Sequence, residues 1–444
     1  MHLKRRLGLE QEFFVVQRDG EPAHSVDGML EECRRLASKQ DIDAECFGPE
    51  WVKNIFELAT PPCGDSGELA ETYIRNLQVA MAAAAEHDLR LYPLAVYPTH
   101  LIPTIRDELN YHVQVRTVGH ERFLNAGRCT GTHLHLEVEH PSIDPQVGVS
   151  LNSTQGARDE LLNVYNFATA LDPALIALSR ACPYFEGVAT GIARRTACYR
   201  GSKDFGWEGV YTHLPEVGSL RPYANTIEEL VALQFERHYG WLAALDQAEV
   251  ERELYLGDGQ GLLSSSWNPV RLNAHGTVEL RNMDSNLPGV TLALVQLISH
   301  AHRRLIENQM HVRPVEGLET LEWSDGELRV PGFAYLSHEL LFAAVSEGLR
   351  SERISRYTQS LLKFAYEGTT PADHWSAGLL PSITQGDEYQ FGTTEQHLLE
   401  RFPPSAEHLT HEEGLEIVRY ACDRLEQEVS EFANLTQSQP VSST

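Results

Sequence analysis

The chain has 444 residues, with 36 basic against 63 acidic side chains and a net charge of −27 at pH 7. Such a surface repels nucleic-acid phosphates and shows no local basic patch, so no nucleic-acid partner is expected; an anionic substrate would need a locally positive pocket. No stretch reaches the roughly 18 apolar residues of a membrane helix, and the basic start at Met1 to Arg6 runs into Gly8-Leu9-Glu10-Gln11-Glu12 without the apolar core of a signal peptide. A cytoplasmic location, with no membrane partner, is the expectation. The seven cysteines (Cys33, Cys46, Cys63, Cys129, Cys182, Cys198 and Cys422) are scattered without a C-x-x-C pair. That distribution predicts reduced, buried thiols rather than a disulfide framework or a zinc site.

In chain order, residues 8–16 are rich in Phe and Val and predict a strand. A helix is expected over 26–38, a second strand over 51–59 ended by Pro61-Pro62, a long amphipathic helix over 66–87 and a strand over 90–96. Strict alternation predicts a strand over 130–138, and helical spacing predicts helices over 158–181 and 227–245. A strand over 276–282, a helix over 292–308 and a hairpin over 318–330 turning at Asp325-Gly326 follow, then helices to a last one over 412–432. Residues 436–444 are polar and read as a disordered tail. No repeat or linker divides the rest, so residues 1–435 are expected to form a single α+β domain whose distant strands complete one sheet.

Four strand segments carry the chemistry. Glu10 and Glu12 lie two apart and project from one face, where two carboxylates repel unless cations or water surround them. Glu57 sits within the apolar run Asn54 to Thr60, with Glu50 at its entrance; alone it reads equally as a salt-bridge partner. His133, His135 and Glu137 share the polar face of their strand, and imidazoles there can bind metal or phosphate oxygens. Glu279 and Arg281 share a face, setting a potential cation ligand beside a planar fork suited to phosphate. Each piece alone also fits a solvated face or an ion pair. Together they describe mostly hard oxygen ligands, which suit Mg²⁺ or Mn²⁺ better than zinc, around a cradle for a triphosphate. The P-loop and dinucleotide-binding glycine motifs are both missing, so a nucleotide would have to rest on the sheet itself.

The segments Gly8-Leu9-Glu10-Gln11-Glu12-Phe13, Phe56-Glu57-Leu58-Ala59-Thr60-Pro61, Gly131-Thr132-His133-Leu134-His135 and Thr277-Val278-Glu279-Leu280-Arg281 occur in that order. As a set they resemble the motifs of the glutamate–cysteine ligase family, particularly its carboxylate-amine ligase branch. Ala181 to Gly187, Thr190-Gly191, Trp267 and Arg271 add to the likeness, which spans about residues 7–310. The resemblance implies a glutamine synthetase-like catalytic domain, with a curved, mostly antiparallel sheet flanked by helices. It implies an ATP-dependent ligase that forms an amide through an acyl phosphate, using ATP and Mg²⁺ (or Mn²⁺) on a glutamate-like carboxylate and an amine. In that reading Glu10, Glu12, Glu50, Glu57, His133 and Glu279 hold the metal ions. His133 and Arg281 contact the nucleotide, Glu279 and Arg281 are catalytic, and Arg194 or Arg195, with Arg271, engages substrate. Homo-oligomer formation is left open. The competing readings are a metal-dependent amide hydrolase built on His133 and His135, and a catalytically inactive binding protein on the same fold.

Overall fold

The structure, a computed structural model, describes residues 5–257, 260–367, 392–404 and 408–438. Its centre is a seven-stranded sheet of β1 (Leu7–Gln17), β2 (Phe47–Pro49), β3 (Ile55–Ala59), β4 (Leu89–Tyr92), β5 (Gly131–Glu137), β6 (Val270–Asn273) and β7 (Thr277–Asp284). The order is β6-β7-β5-β1-β3-β2, with β4 on the C-terminal half of β1, and every pairing is antiparallel. Residues about 150 positions apart, such as Thr132 and Met283, thus become neighbours, as the motifs required.

Alternation along each strand sorts the two faces. On β1 the odd positions Leu7, Leu9, Phe13 and Val15 are buried against the main core, and on β5 Leu134 and Leu136 have no exposed surface. That face is covered by the helices α1 (Asp27–Lys39), α2 (Ser66–Glu86) and α3 (Gln155–Ser179). It is covered further by α6 (Pro288–Glu307) and α7 (Glu352–Tyr366), which follow the shorter α4 (Arg194–Arg200) and α5 (Ile227–Gln247). The other face carries the even positions Gly8, Glu10 and Glu12. Beyond Glu12 it turns apolar at Phe14 and Val16, which pack on Tyr92 and on Ile417 and Val418 of the last helix, α8 (His411–Ser438).

Helix ends follow their local chemistry. Asp65 caps α2 by accepting from the Gly67 and Glu68 amides, both at 3.0 Å, Thr154 caps α3 through the Ala157 amide at 3.1 Å, and Pro288 opens α6 at its first turn. Three expected boundaries are corrected. The strand expected over 51–59 begins only at Ile55, because residues 51–54 turn to let Lys53 and Val15 make backbone bonds with Thr104 and Asn54. The one expected over 90–96 ends at Tyr92. The hairpin turns at Asp325-Gly326, with Gly326 at φ +73°, but spans only β9 (Glu322–Ser324) and β10 (Glu327–Pro331), and the unforeseen β8 (His311–Val315) runs parallel to β10. Helix α8 continues to Ser438, and the rest of the expected tail, 439–444, lies outside the described residues. All seven cysteines are free and buried.

Helix α3 corrects the statement that no stretch has the dimensions of a membrane span: it is long and apolar enough, yet almost all of it is buried inside the protein. It is the central core helix. Its one charge after Glu160 is Asp172, fully buried and gripped by the Arg200 guanidinium at 2.7 and 2.8 Å.

Helix α6 buries an acid-labile group. His302 is 3% exposed, its Nε2 has no hydrogen-bond partner among the described residues, and burial, with the nearby Arg5, pushes its pKa down to about 4. The unfolded chain binds this proton at about pH 6.5, so folding loses stability as pH falls from there and the loss levels off below about 4. The penalty should reach about 3 kcal/mol. Urea unfolding of His302→Asn across pH 7 to 4 should show a shallower decline than wild type; parallel curves would count against a neutral His302.

Candidate active site

The register of the sheet sets out the site. Glu12 lies directly opposite Glu57, Glu10 opposite His133, His135 opposite Glu279, and Glu279 opposite Arg271. These seven side chains therefore form one staggered row across four strand pairings. The row has a cationic end at β6 and β7 and an anionic end at β1 and β3.

Glu279 anchors the cationic end. It has no exposed surface, and its two oxygens accept from Arg271 (Nε at 2.6 Å, Nη2 at 3.1 Å), Arg281 (Nη1 at 2.6 Å) and Asn273 (Nδ2 at 2.6 Å). Burial alone would raise its pKa, but Arg271 and Arg281 outweigh it and hold the carboxylate well below its ordinary range. Arg281, in turn, is held well above its ordinary value, because Glu279 outweighs the cost of its own burial. A carboxylate offers about four lone-pair sites, and these donors occupy that number. Glu279 could take a cation only by releasing one of them.

A β-bulge aims Arg281. The pairing runs Leu280 with Leu134 but then Met283 with Thr132, so β7 holds an extra residue opposite His133. Arg281 Nη1 reaches His133 Nδ1 at 3.2 Å. Burial, followed by the charge of Arg281, lowers the His133 pKa and keeps the ring neutral, as a ligand nitrogen must be. His135 behaves differently: burial works against its charge, but Glu279 and Glu10 outweigh it and raise its pKa. Its Nε2 lies 3.2 Å from Glu10 and its Nδ1 pairs with Thr277 Oγ1 at 2.9 Å. Burial would raise Glu10 too, yet the hydrogen bonds of both imidazoles keep it ionised.

The anionic end lacks such compensation. Glu50 follows β2 and takes one bond from the Trp51 amide at 3.2 Å. Burial and then Glu12 push its pKa up to about 8. Glu57 is raised well above the usual range by burial and by Glu10 and Glu50. Ligand atoms of Glu10, His133 and Glu279 lie within 4.8 Å of one another, as do those of Glu12, Glu57 and His133. Acids whose charge is disfavoured by burial and by one another, beside the buried His133 Nε2, which has no hydrogen-bond partner among the described residues, fit divalent metal ions well.

The structure thus brings Glu10, Glu12, Glu57, His133, Glu279 and Arg281 together, with Glu50 at the margin. Glu137 keeps the expected face, opposite Thr277, but at the strand end it pairs with Arg6 at 2.5 Å rather than with the site residues. Arg194 stacks over Phe185 at 4.5 Å. Arg195 is buried, gives one hydrogen bond to the Arg281 carbonyl at 3.1 Å, and lies over the Tyr199 ring at 5.8 Å. Arg271 spends its fork on Glu279. Gly131, present in the His-x-His motif, has two reasons to be there: its amide donates to Glu12 at 2.6 Å, and a Cβ would sit 2.0 Å from the Arg195 guanidinium. Sequence reasoning missed Asn273, which lies two residues from Arg271 on the same strand face, and Tyr199, which no motif marked.

Residues 6–334 match the glutamate-cysteine ligase family 2 (GCS2). The chain belongs to that family. It is similar to the glutamate–cysteine ligase of Haloquadratum walsbyi, 24% identical over 66% of this chain and 68% of the relative. That of Halobacterium salinarum is 28% identical over 68% and 69% respectively. Among solved structures, a bifunctional glutathione synthetase from Pasteurella multocida aligns with TM-score 0.51 at 14% identity, over 96% of this chain. The chain spans about half of that longer protein (52%), so the likeness bears on the fold alone. Membership of glutamate-cysteine ligase family 2 makes this an ATP-dependent carboxylate-amine ligase of the glutamate–cysteine ligase type.

Because burial and neighbouring acids raise the pKa of Glu50 and Glu57, Mn²⁺ binding there should release protons at pH 7 and tighten as pH rises towards 8. Calorimetric titrations in buffers of different ionisation enthalpy measure that release, and buffer-independent heats at pH 7 would exclude both carboxyls from binding.

Proposed function

We propose that this chain joins the side-chain carboxylate of glutamate, or a close analogue, to an amine through an acyl phosphate made from ATP, with cysteine the first acceptor to test, in a cytoplasmic setting. The observation that carries the reading is the single row of side chains on the open sheet face, arginines at one end and under-compensated carboxylates at the other. A triphosphate and a second anionic substrate need both ends at once.

A carboxylate resists attack by an amine because its oxygen leaves poorly. Phosphorylation by the ATP γ-phosphoryl group makes a mixed anhydride, which the amine opens with loss of phosphate; the products are the amide, ADP and phosphate. Glu10, Glu12, Glu50, Glu57, His133 and Glu279 would hold Mg²⁺ or Mn²⁺, which when bound neutralises phosphate charge and polarises the reacting oxygens. Arg281 holds the transferring phosphoryl group through donors not spent on Glu279 and His133, and its fixed place spares reorganisation during reaction. His135 keeps Glu10 charged. Of the two candidate arginines, Arg195 is the better placed for a substrate carboxylate, since it lies beside Arg281 while Arg194 packs on Phe185.

Purified protein given Mg-ATP, glutamate and a panel of amino acids and amines should release phosphate only with the complete set. Release independent of any amine would refute amide formation. Glu279→Ala should lower turnover by roughly 10³-fold or more, the scale of losses at phosphoryl-transfer sites. Arg281→Lys keeps a point charge but loses the fork and should also be severely impaired; unchanged steady-state kinetics for it would remove Arg281 from phosphate contact.

A further inference from the structure

The bulge that aims Arg281 is tied down from behind the sheet, through a buried network that takes no part in the row of site residues. Asn282, the next residue, points to the helix side and donates from Nδ2 to Asp172 Oδ1 at 3.0 Å. Asp172 also receives both Nη atoms of Arg200, at 2.8 Å to Oδ2 and 2.7 Å to Oδ1. Asp172 and Asn282 have no exposed surface and Arg200 is 6% exposed. Arg200 ends α4, the short helix that also carries Arg195 and Tyr199. Arg195 returns to the same bulge by donating to the Arg281 carbonyl at 3.1 Å, while the Arg281 amide donates to the Pro269 carbonyl at 2.8 Å. The backbone around Arg281 is therefore held at three points, and two of them run through α4.

We infer that Asp172 is a positioning residue: with Arg200 it locks α4 and the β7 bulge together, and so fixes where Arg281 holds Glu279 and His133. The inference rests on the proposed metal and phosphate roles of that row. A charge in the middle of an apolar core helix is costly and contributes little net stability when paired, and a well-packed neutral replacement is often tolerated. Removing one member alone leaves a buried charge unpaired and damages the fold, which would hide any positioning effect. Removing both charges separates the two.

The test is the double variant Asp172→Asn with Arg200→Met, compared with wild type and with Tyr357→Phe. Tyr357 donates to the Ala170 carbonyl of the same helix at 2.5 Å and lies near Asp172, but among the described residues it hydrogen-bonds to neither Asp172 nor the bulge, so it reports on general loosening of α3. Three quantities are read in each protein: the thermal midpoint, Mn²⁺ affinity by electron paramagnetic resonance, and kcat and KM for ATP where the wild type turns over. The double variant should keep a midpoint close to that of Tyr357→Phe. Its Mn²⁺ affinity should fall roughly ten- to a hundredfold, the range seen when groups that orient metal ligands are removed. Its kcat should fall similarly, with KM for ATP little changed, while Tyr357→Phe matches wild type in both. A folded double variant with wild-type Mn²⁺ affinity overturns the inference, as does an equal loss in Tyr357→Phe. Should wild type bind Mn²⁺ yet form no amide with any substrate, the ligase reading fails while the affinity comparison still decides the role of Asp172. A wild type that binds no Mn²⁺ overturns both.

Discussion

Glu279 is a carboxylate without any contact with solvent, and the site is arranged around keeping it charged. Moving such an ion out of water costs several kcal/mol even after the protein relaxes. A hydrogen bond to a charged group returns about 1.5–3 kcal/mol net, so one partner would not suffice and four are of the size needed. Arg271 and Asn273 supply them from the edge strand and Arg281 from the same strand as Glu279. That requirement fixes the register of β6 on β7, and through His133 and His135 it reaches β5 and then β1. The sheet is held together at its centre by charge pairing as much as by the apolar layer behind it.

The same arrangement sets a gradient along the sheet. Positive charge is concentrated on β6 and β7, imidazoles follow on β5, and the carboxylates of β1, β3 and the end of β2 come last, raised in pKa where partners run out. A polyanion placed on the row meets guanidinium groups at one end and, at the other, acids that attract cations. The acids alone would repel a phosphate chain, and cations bound among them would remove that conflict.

Much of this was legible in the sequence, for a specific reason. The period-two alternation at Gly131 to Val138 assigned His133 and His135 to one face, and Glu10 with Glu12 followed from the same rule. What alternation cannot report is where a strand ends or where it bulges. Glu137 fits the pattern but lies at the last residue of β5, where Arg6 reaches it. The extra residue at Arg281 and Asn282 is invisible to a two-residue period, so the path from Asn282 to Asp172 had no signal beyond a lone acid in an apolar helix. That helix also passes the length and apolarity of a membrane span, which composition cannot separate from a core helix. Adjacent positions on a helix diverge by about 100°, so Arg194 and Arg195 have different surroundings that the sequence alone could not separate.

Two imidazoles spaced His-x-His also suggest a metal-dependent amide hydrolase, and here the geometry bears on the choice. Among the described residues, His133 belongs to both groups of side chains able to hold an ion, and His135 to neither. The ring of His135 pairs with Thr277 through Nδ1 and sets Nε2 3.2 Å from Glu10, whose charge it favours. Both groups share His133, whose neutral ring has one free lone pair and can serve one ion at a time; the remaining ligands are carboxylates. Oxygen-dominated sets of that kind favour Mg²⁺ or Mn²⁺ over zinc, and a site with several carboxylates and two arginines has more charge than the activation of one water requires. That surplus fits the handling of phosphates, which is the work of a ligase that uses ATP.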